Sequence, residues 1–219
     1  MAKVQTSGKC LLCKETMKKA SMTRHFAKCL EAHKKAAGGK FFHVKAEGAW
    51  DGDYWLHLAV PAEATLRDLD DFLRDIWLEC CGHLSAFDIS GTRYEVEVDD
   101  AWGWEPPSKK MTAKAGKVFS PGLEFGHEYD YGSTTELKLK VIAAYEGQIG
   151  RGVELLARND EPLIPCSECG EPAVNICTEC MYDGSGWLCE EHSADHECGD
   201  DMFLPVVNSP RCGVCGYEG

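Results

Sequence analysis

The apolar residues of this chain recur with two different periods, and the changes of period divide it into elements. Residues 41–45 and 54–60 read as strands around a turn-rich stretch at 48–53. After Pro61 and Thr65, the residues Leu66, Leu69, Phe72, Leu73, Ile76 and Trp77 return at helical spacing, predicting a helix that ends near Gly82. Further strands are predicted at 86–89, 94–98, 123–131 and 137–145, with a Pro-, Lys- and Gly-rich loop at 104–116. Strands outnumber helices, so residues 40–161 predict an α+β domain in which one long helix packs on a mixed or antiparallel sheet. Upstream, a helix-like stretch at 21–37 stops at Gly38-Gly39 and closes a first module, 1–39. Pro162 and Pro165 mark the start of a last module, 162–219.

Composition explains why the flanking pieces need other support. With 219 residues and 44% hydrophobic content, the chain suffices for one core of ~100–150 residues plus small modules. Its 13 cysteines show where those modules lie: Cys10, Cys13 and Cys29 at one end, eight between Cys166 and Cys215 at the other, and the adjacent Cys80-Cys81 in the middle. The start MAKVQTSGKC has no apolar leader, and no long apolar run follows, which predicts a cytoplasmic protein without a membrane partner. In a reducing compartment, Cys-x2-Cys pairs accompanied by histidines predict zinc rather than disulfides.

Charge divides the chain as well. The net of −13 combines about +9 over residues 1–45, where only Glu15 and Glu31 are acidic, with a strongly acidic remainder; residues 160–219 hold 13 acidic groups against Arg211 alone. A polyanion is therefore expected to approach the N-terminal end and be repelled by the C-terminal one.

At the N-terminus, Cys10-x2-Cys13-x11-His25-x3-Cys29 places two thiols on a turn and two further ligands one helical turn apart on a single face. Leu12, Met22, Phe26 and Leu30 are available as a small core, and His33, a turn further on, is expected to face solvent. The segment resembles CCHC-type zinc fingers, some of which present their helix to nucleic acid and others to protein. The positive charge favours phosphate contact through Lys14, Lys18, Lys19, Arg24, Lys28, Lys34 and Lys35.

The C-terminal ligand order is Cys166-x2-Cys169-x7-Cys177-x2-Cys180-x8-Cys189-x2-His192-x3-His196-x-Cys198, followed by Cys212-x2-Cys215, enough for two tetrahedral sites. It resembles the cross-braced B-box type of zinc domain. That resemblance implies one zinc on Cys166, Cys169, Cys189 and His192 and another on Cys177, Cys180, His196 and Cys198. A ribbon is the alternative, joining Cys166 and Cys169 to Cys212 and Cys215 and leaving Cys177, Cys180, Cys189 and His192 as the second site. With the finger, this amounts to about three zinc ions per chain, all in closed, thiolate-rich sites of structural type. Cross-braced modules commonly bind protein, so the acidic module is expected to have a protein partner.

In the middle, the stretches Tyr54 to Leu66, His83 to Ile89 with Gly91 and Tyr94, and Phe125 to Gly132 with its Tyr129-Asp130-Tyr131-Gly132 together resemble the plasmid pRiA4b ORF-3-like family, over about residues 40–160. The resemblance implies an α+β fold and an association with mobile elements. It assigns no activity. Where many members follow the Tyr-Asp-aromatic-Gly motif with an acidic residue, a Trp and a His, this chain has Ser133-Thr134-Thr135-Glu136-Leu137. Asp130 is expected to anchor a turn at Gly132, and His57, His83 and His127 to be ordinary core or surface residues, although together they would offer acid/base chemistry. Cys80-Cys81 is expected to be a pair of buried small residues at a helix end. No residues are singled out as catalytic. The combined expectation is a non-enzymatic zinc protein whose finger meets nucleic acid and whose acidic module meets protein. An adaptor using both modules on proteins, or an enzyme centred on Asp130, are the alternatives.

Overall fold

The computed structural model describes residues 6–96 and 108–219. The expected strand 94–98 and loop 104–116 fall partly outside these residues.

The architecture is mixed α and β, mostly sheet with few helices. Its strands are β1 (Ser7–Cys10), β2 (Thr16–Lys18), β3 (Lys35–Gly48), β4 (Trp55–Pro61), β5 (Ser85–Ile89), β6 (Thr92–Glu95), β7 (Lys109–Lys110), β8 (Glu124–Tyr129), β9 (Thr135–Gln148) and β10 (Glu154–Asn159). They form one ten-stranded sheet in the order β2-β1-β10-β4-β3-β9-β8-β5-β6-β7, antiparallel except where β6 meets β7.

Helix α1 (Lys19–His33) packs on this sheet through Met22, Phe26 and Leu30, which are buried with Phe41, Trp55, Leu156 and Ala157. Leu56, Leu58 and Val60 belong instead to the main core, with Phe42, Val44, Leu66, Leu69, Leu73 and Trp77. Strand β4 thus alternates between two apolar groups, one on each face, as the two-residue period of a strand requires. The finger is therefore built onto the central sheet: its hairpin extends the sheet through β1 and β10, and Gly38 and Gly39 lie in a register shift within β3. β10, which makes that junction, is not among the strands expected from the sequence.

The helix expected between Thr65 and Gly82 is shorter than its periodicity suggests. Thr65 and Asp68 form a reciprocal capping box for α2 (Leu66–Leu73). A π-helical turn, Arg74–Leu78, then closes with Glu79 N–H donating to the Arg74 carbonyl five residues back. The expected single long helix is thus eight α-helical residues followed by a wide turn. The apolar spacing carried across the change because the wide turn still buries Trp77 and Leu78.

α3 (Ala115–Val118) precedes β8, and the C-terminal part contains β11 (Asn175–Cys177), β12 (Trp187–Leu188), α4 (Glu190–Ala194) and β13 (Phe203–Pro205), with 3-10 turns at Cys180–Asp183 and Asp200–Met202. These strands form a small antiparallel sheet in the order β12-β11-β13. The chain then returns to the large sheet. Asn208 donates to the Asn159 carbonyl, Ser209 Oγ to the Trp77 carbonyl, and Arg211 to Asp130. Among the described residues, no helix is long and apolar enough to cross a membrane.

Candidate metal centres

Cys10 closes β1, and the next four residues make a knuckle. Lys14 N–H donates to the Cys10 carbonyl and Cys10 N–H to the Glu15 carbonyl, both at 2.9 Å, with Lys14 in the left-handed region at φ 69°. Cys166 builds the same turn. Gly170 N–H donates to the Cys166 carbonyl and Cys166 N–H to the Glu171 carbonyl, with Gly170 at φ 81°. Each knuckle brings together two thiols three positions apart, and a helix supplies the other pair: His25 and Cys29 on α1, or Cys189 and His192 at the start of α4.

The outcome is four-residue groups whose ligand atoms lie within 4.8 Å of one another: Cys10, Cys13, His25 and Cys29; Cys166, Cys169, Cys189 and His192; and Cys177, Cys180, His196 and Cys198. Such groups can hold a metal ion. Their C-terminal grouping is the cross-braced one, and the ribbon alternative is not assembled. Cys212 is buried elsewhere, with its sulfur accepting from Val207 N–H at 3.4 Å.

The separations exclude disulfides among these cysteines and can be set against those of a tetrahedral metal site. Bonded sulfurs lie about 2 Å apart. A tetrahedral zinc, with Zn–S bonds of about 2.3 Å and a Zn–N bond of about 2.0 Å, sets sulfurs about 3.8 Å apart and sulfur from nitrogen about 3.5 Å apart. The observed sulfur pairs are Cys10–Cys29 and Cys169–Cys189 at 3.8 Å and Cys180–Cys198 at 3.6 Å. Sulfur–nitrogen pairs run from 3.2 Å for Cys189–His192, through 3.3 Å for Cys13–His25 and 3.5 Å for Cys180–His196, to 3.6 Å for Cys166–His192. These spacings are compatible with zinc.

The thiols are also prepared for ionisation unevenly. Burial resists ionisation of Cys166, but N–H groups of Cys189, Cys169 and Glu168 outweigh it and bring its pKa to about 6. Cys177 falls to about 7 in the same way, against burial and through the Cys180 and Glu179 amides. Cys29 goes in the other direction. Burial first, then its hydrogen bond with Cys10, push it up to about 12, a shift that a cation among the sulfurs would reverse.

The seven basic residues expected at a nucleic-acid contact do not share one environment. Lys14 Nζ donates to the Leu11 carbonyl, Lys19 pairs with Glu47, and Lys34 pairs with Glu31 and lies over the Tyr145 ring. Lys18, Arg24, Lys28 and Lys35 are exposed. His33 is exposed, as expected, while its Nδ1 lies 2.8 Å from the Cys29 carbonyl.

The residues of the conceivable Asp130 centre are dispersed. His57 Nδ1 lies 2.7 Å from His43 Nε2 beneath Phe26, and His127 Nε2 lies 2.7 Å from Asp70 Oδ1. Only His83 faces Asp130, at 3.6 Å. Asp130 does anchor its turn, accepting from Gly132 N–H at 3.0 Å. A groove of about 590 Å³ on the sheet is lined by His127, Lys45 and Lys138, among others, and not by Asp130.

One group escaped the sequence reading. Cys80, Cys81, His83 and Cys215 also place their ligand atoms within 4.8 Å of one another. Cys80 is half-buried and Cys81 exposed, so the expected buried pair is not what the fold makes of them. The available signal was two cysteines and a histidine within four residues, whose partner lies 132 positions downstream.

No family model matches the sequence, and no curated protein matches it. Among solved structures, the chain is similar to a protein of unknown function, MM3350, from Methanosarcina mazei Go1. The two are 18% identical, the match covers 63% of this chain and 78% of that one, and the TM-score is 0.48.

Proposed function

We propose that this chain is a zinc-binding, non-enzymatic binding protein of the pRiA4b ORF-3-like type, using its basic finger on nucleic-acid phosphates and its acidic C-terminal module on a protein. Zinc in the three groups first described has a structural role. Each offers four nitrogen or sulfur ligands, and a filled tetrahedron leaves no position for a substrate or an activated water.

The observation that carries the nucleic-acid part is the orientation of α1. Met22, Phe26 and Leu30 turn inward onto the sheet, which leaves Arg24 and Lys28 on the outer face, with Lys18 and Lys35 exposed at its two ends. Phosphate contact releases counterions, so log affinity should fall with log salt by about 0.9 for each phosphate neutralised on duplex DNA.

The test uses the full chain, because deleting residues 1–39 would uncover Phe41, Trp55 and Leu156. Fluorescence anisotropy of labelled DNA and RNA is followed over a salt series for the parent and for a variant carrying Lys18→Ala, Arg24→Ala, Lys28→Ala and Lys35→Ala. Salt-dependent binding that the variant loses supports the reading. Absence of binding at low salt, or equal binding by the variant, refutes the phosphate role.

A second reading, an adaptor whose two modules both bind protein, is favoured by the internal pairing of Lys14, Lys19 and Lys34 and by Tyr182, 88% exposed on the acidic module. It requires a partner captured by the zinc-loaded chain irrespective of salt and nuclease treatment.

A further inference from the structure

We propose that Cys80, Cys81, His83 and Cys215 form a fourth zinc site, which fastens the C-terminal tail to the central domain. The donor set of three thiols and one imidazole suits a borderline-soft divalent cation, and zinc above all. Four ligands complete a tetrahedron, so the site is of the closed, structural kind.

Its local geometry comes from two departures from regular backbone. The π-helical turn Arg74–Leu78 ends the helical segment one residue before the Cys80-Cys81-x-His83 run; such turns recur where a helix must redirect its side chains. On the tail, Cys215 adopts φ 51°, a left-handed conformation costly for a residue with a Cβ. That conformation sets its sulfur 3.3 Å from His83 Nε2. Cys212, by contrast, is turned away into the body, so the Cys212-x2-Cys215 pair is divided and only Cys215 reaches the group.

The surroundings are those of a metal site. The other ring nitrogen of His83, Nδ1, faces Asp130 Oδ1 at 3.6 Å. A carboxylate on that side favours the Nδ1–H tautomer and leaves the Nε2 lone pair for a cation, the arrangement that orients metal-bound imidazoles. Arg211 Nη2 lies 3.4 Å from Cys80 Sγ and 2.7 Å from Asp130 Oδ2. Three thiolates around Zn²⁺ carry a net charge of −1, which the guanidinium partly offsets. Tyr129 OH accepts from the N–H groups of Cys80 and His83, at 3.4 and 3.3 Å, and donates to Glu79 at 3.1 Å, fixing the backbone that presents both ligands.

This site differs from the other three in joining segments 132 positions apart, and in having two exposed ligands, Cys81 and Cys215. Its zinc is therefore the most accessible to chelators, and its loss frees the end of the tail while Arg211 remains docked.

The test is native mass spectrometry of the zinc-saturated full chain, with Cys81→Ser and Cys215→Ser variants. Both positions are exposed, so neither substitution disturbs the core. The proposal requires four zinc ions in the parent and three in each variant, and protection of Cys81 and Cys215 from alkylation until a chelator is added. It is overturned if the variants keep the parent's zinc count while Cys81 and Cys215 alkylate freely in zinc-loaded protein, or if reductant-purified protein carries a disulfide among these cysteines in place of metal. A parent with three ions unaffected by these variants removes the fourth site and leaves the other three standing.

Discussion

Arg211 and Asp130, 81 positions apart, meet at 2.7 Å with the arginine fully buried. The guanidinium also donates to the Ser133 carbonyl at 3.1 Å and to Thr135 Oγ1 at 2.9 Å, and lies over the Tyr129 ring. The only basic residue of the acidic C-terminal module is thus spent inside the central domain.

Arg211→Met is expected to destabilise the protein by about 3 kcal/mol or more, because it leaves the buried end of Asp130 unpaired. Asp130→Asn should cost less, since its side-chain oxygen can still accept from Gly132 N–H. Arg211 holds the Asp130 carboxyl below its usual 3.8, so this stability is present above that pH and is lost as the pH falls further. Urea denaturation of zinc-loaded protein measures all three effects; an unchanged midpoint in Arg211→Met shows that the pair fastens nothing.

His43 and His57 are expected to stay neutral well below pH 6.5. Burial lowers His43 to about 3 and moves His57 in the same direction, with His43 itself the next cause. The unfolded chain therefore binds protons first, and stability falls as the pH drops from 6.5 towards 3. Imidazole resonances that remain those of neutral rings at pH 5 meet this expectation, whereas a midpoint near 6 in the folded protein contradicts it.

Asp70 and His127 are both fully buried, and burial alone would raise the Asp70 pKa, but the hydrogen bond from His127 holds it low. Asp70→Ala leaves a fully buried His127 nitrogen without its hydrogen-bond partner and should cost about 1–3 kcal/mol. Equilibrium denaturation at pH 7 checks it, and an unchanged midpoint would show that the pair adds nothing to stability.

Gly8 pairs with Asn159 where β1 runs beside β10, and a Cβ there would come 2.2 Å from the Arg158 carbonyl oxygen and 2.5 Å from the Trp55 ring. Gly8→Ala should force β1 away from β10 and cost about 1–3 kcal/mol. Gly126→Ala, on β8 with nothing within 4 Å of the added carbon, is the control. Equal thermal midpoints for the two variants would mean that the finger hairpin is not closely seated.

The sequence was most readable where a residue pattern is local. The apolar run of β4 and the fixed spacing of Cys10, Cys13, His25 and Cys29 each lie within one short segment, so composition and reach suffice to anticipate them. What was not readable depends on distant segments meeting. The core of Phe26 is completed by Trp55 and Leu156, which no property of residues 1–39 announces. The π-turn replaced a predicted helix without disturbing its apolar stripe, and Cys215 lies beside Cys80, Cys81 and His83, which are far from it in sequence.

Native mass spectrometry of the full chain, purified under reductant, tests the central claim most directly when parent protein is compared with Cys13→Ser, Cys169→Ser and Cys180→Ser. The account predicts zinc in the parent and the loss of one ion in each variant, one from each of the three separate groups. A folded parent that carries no zinc would contradict it.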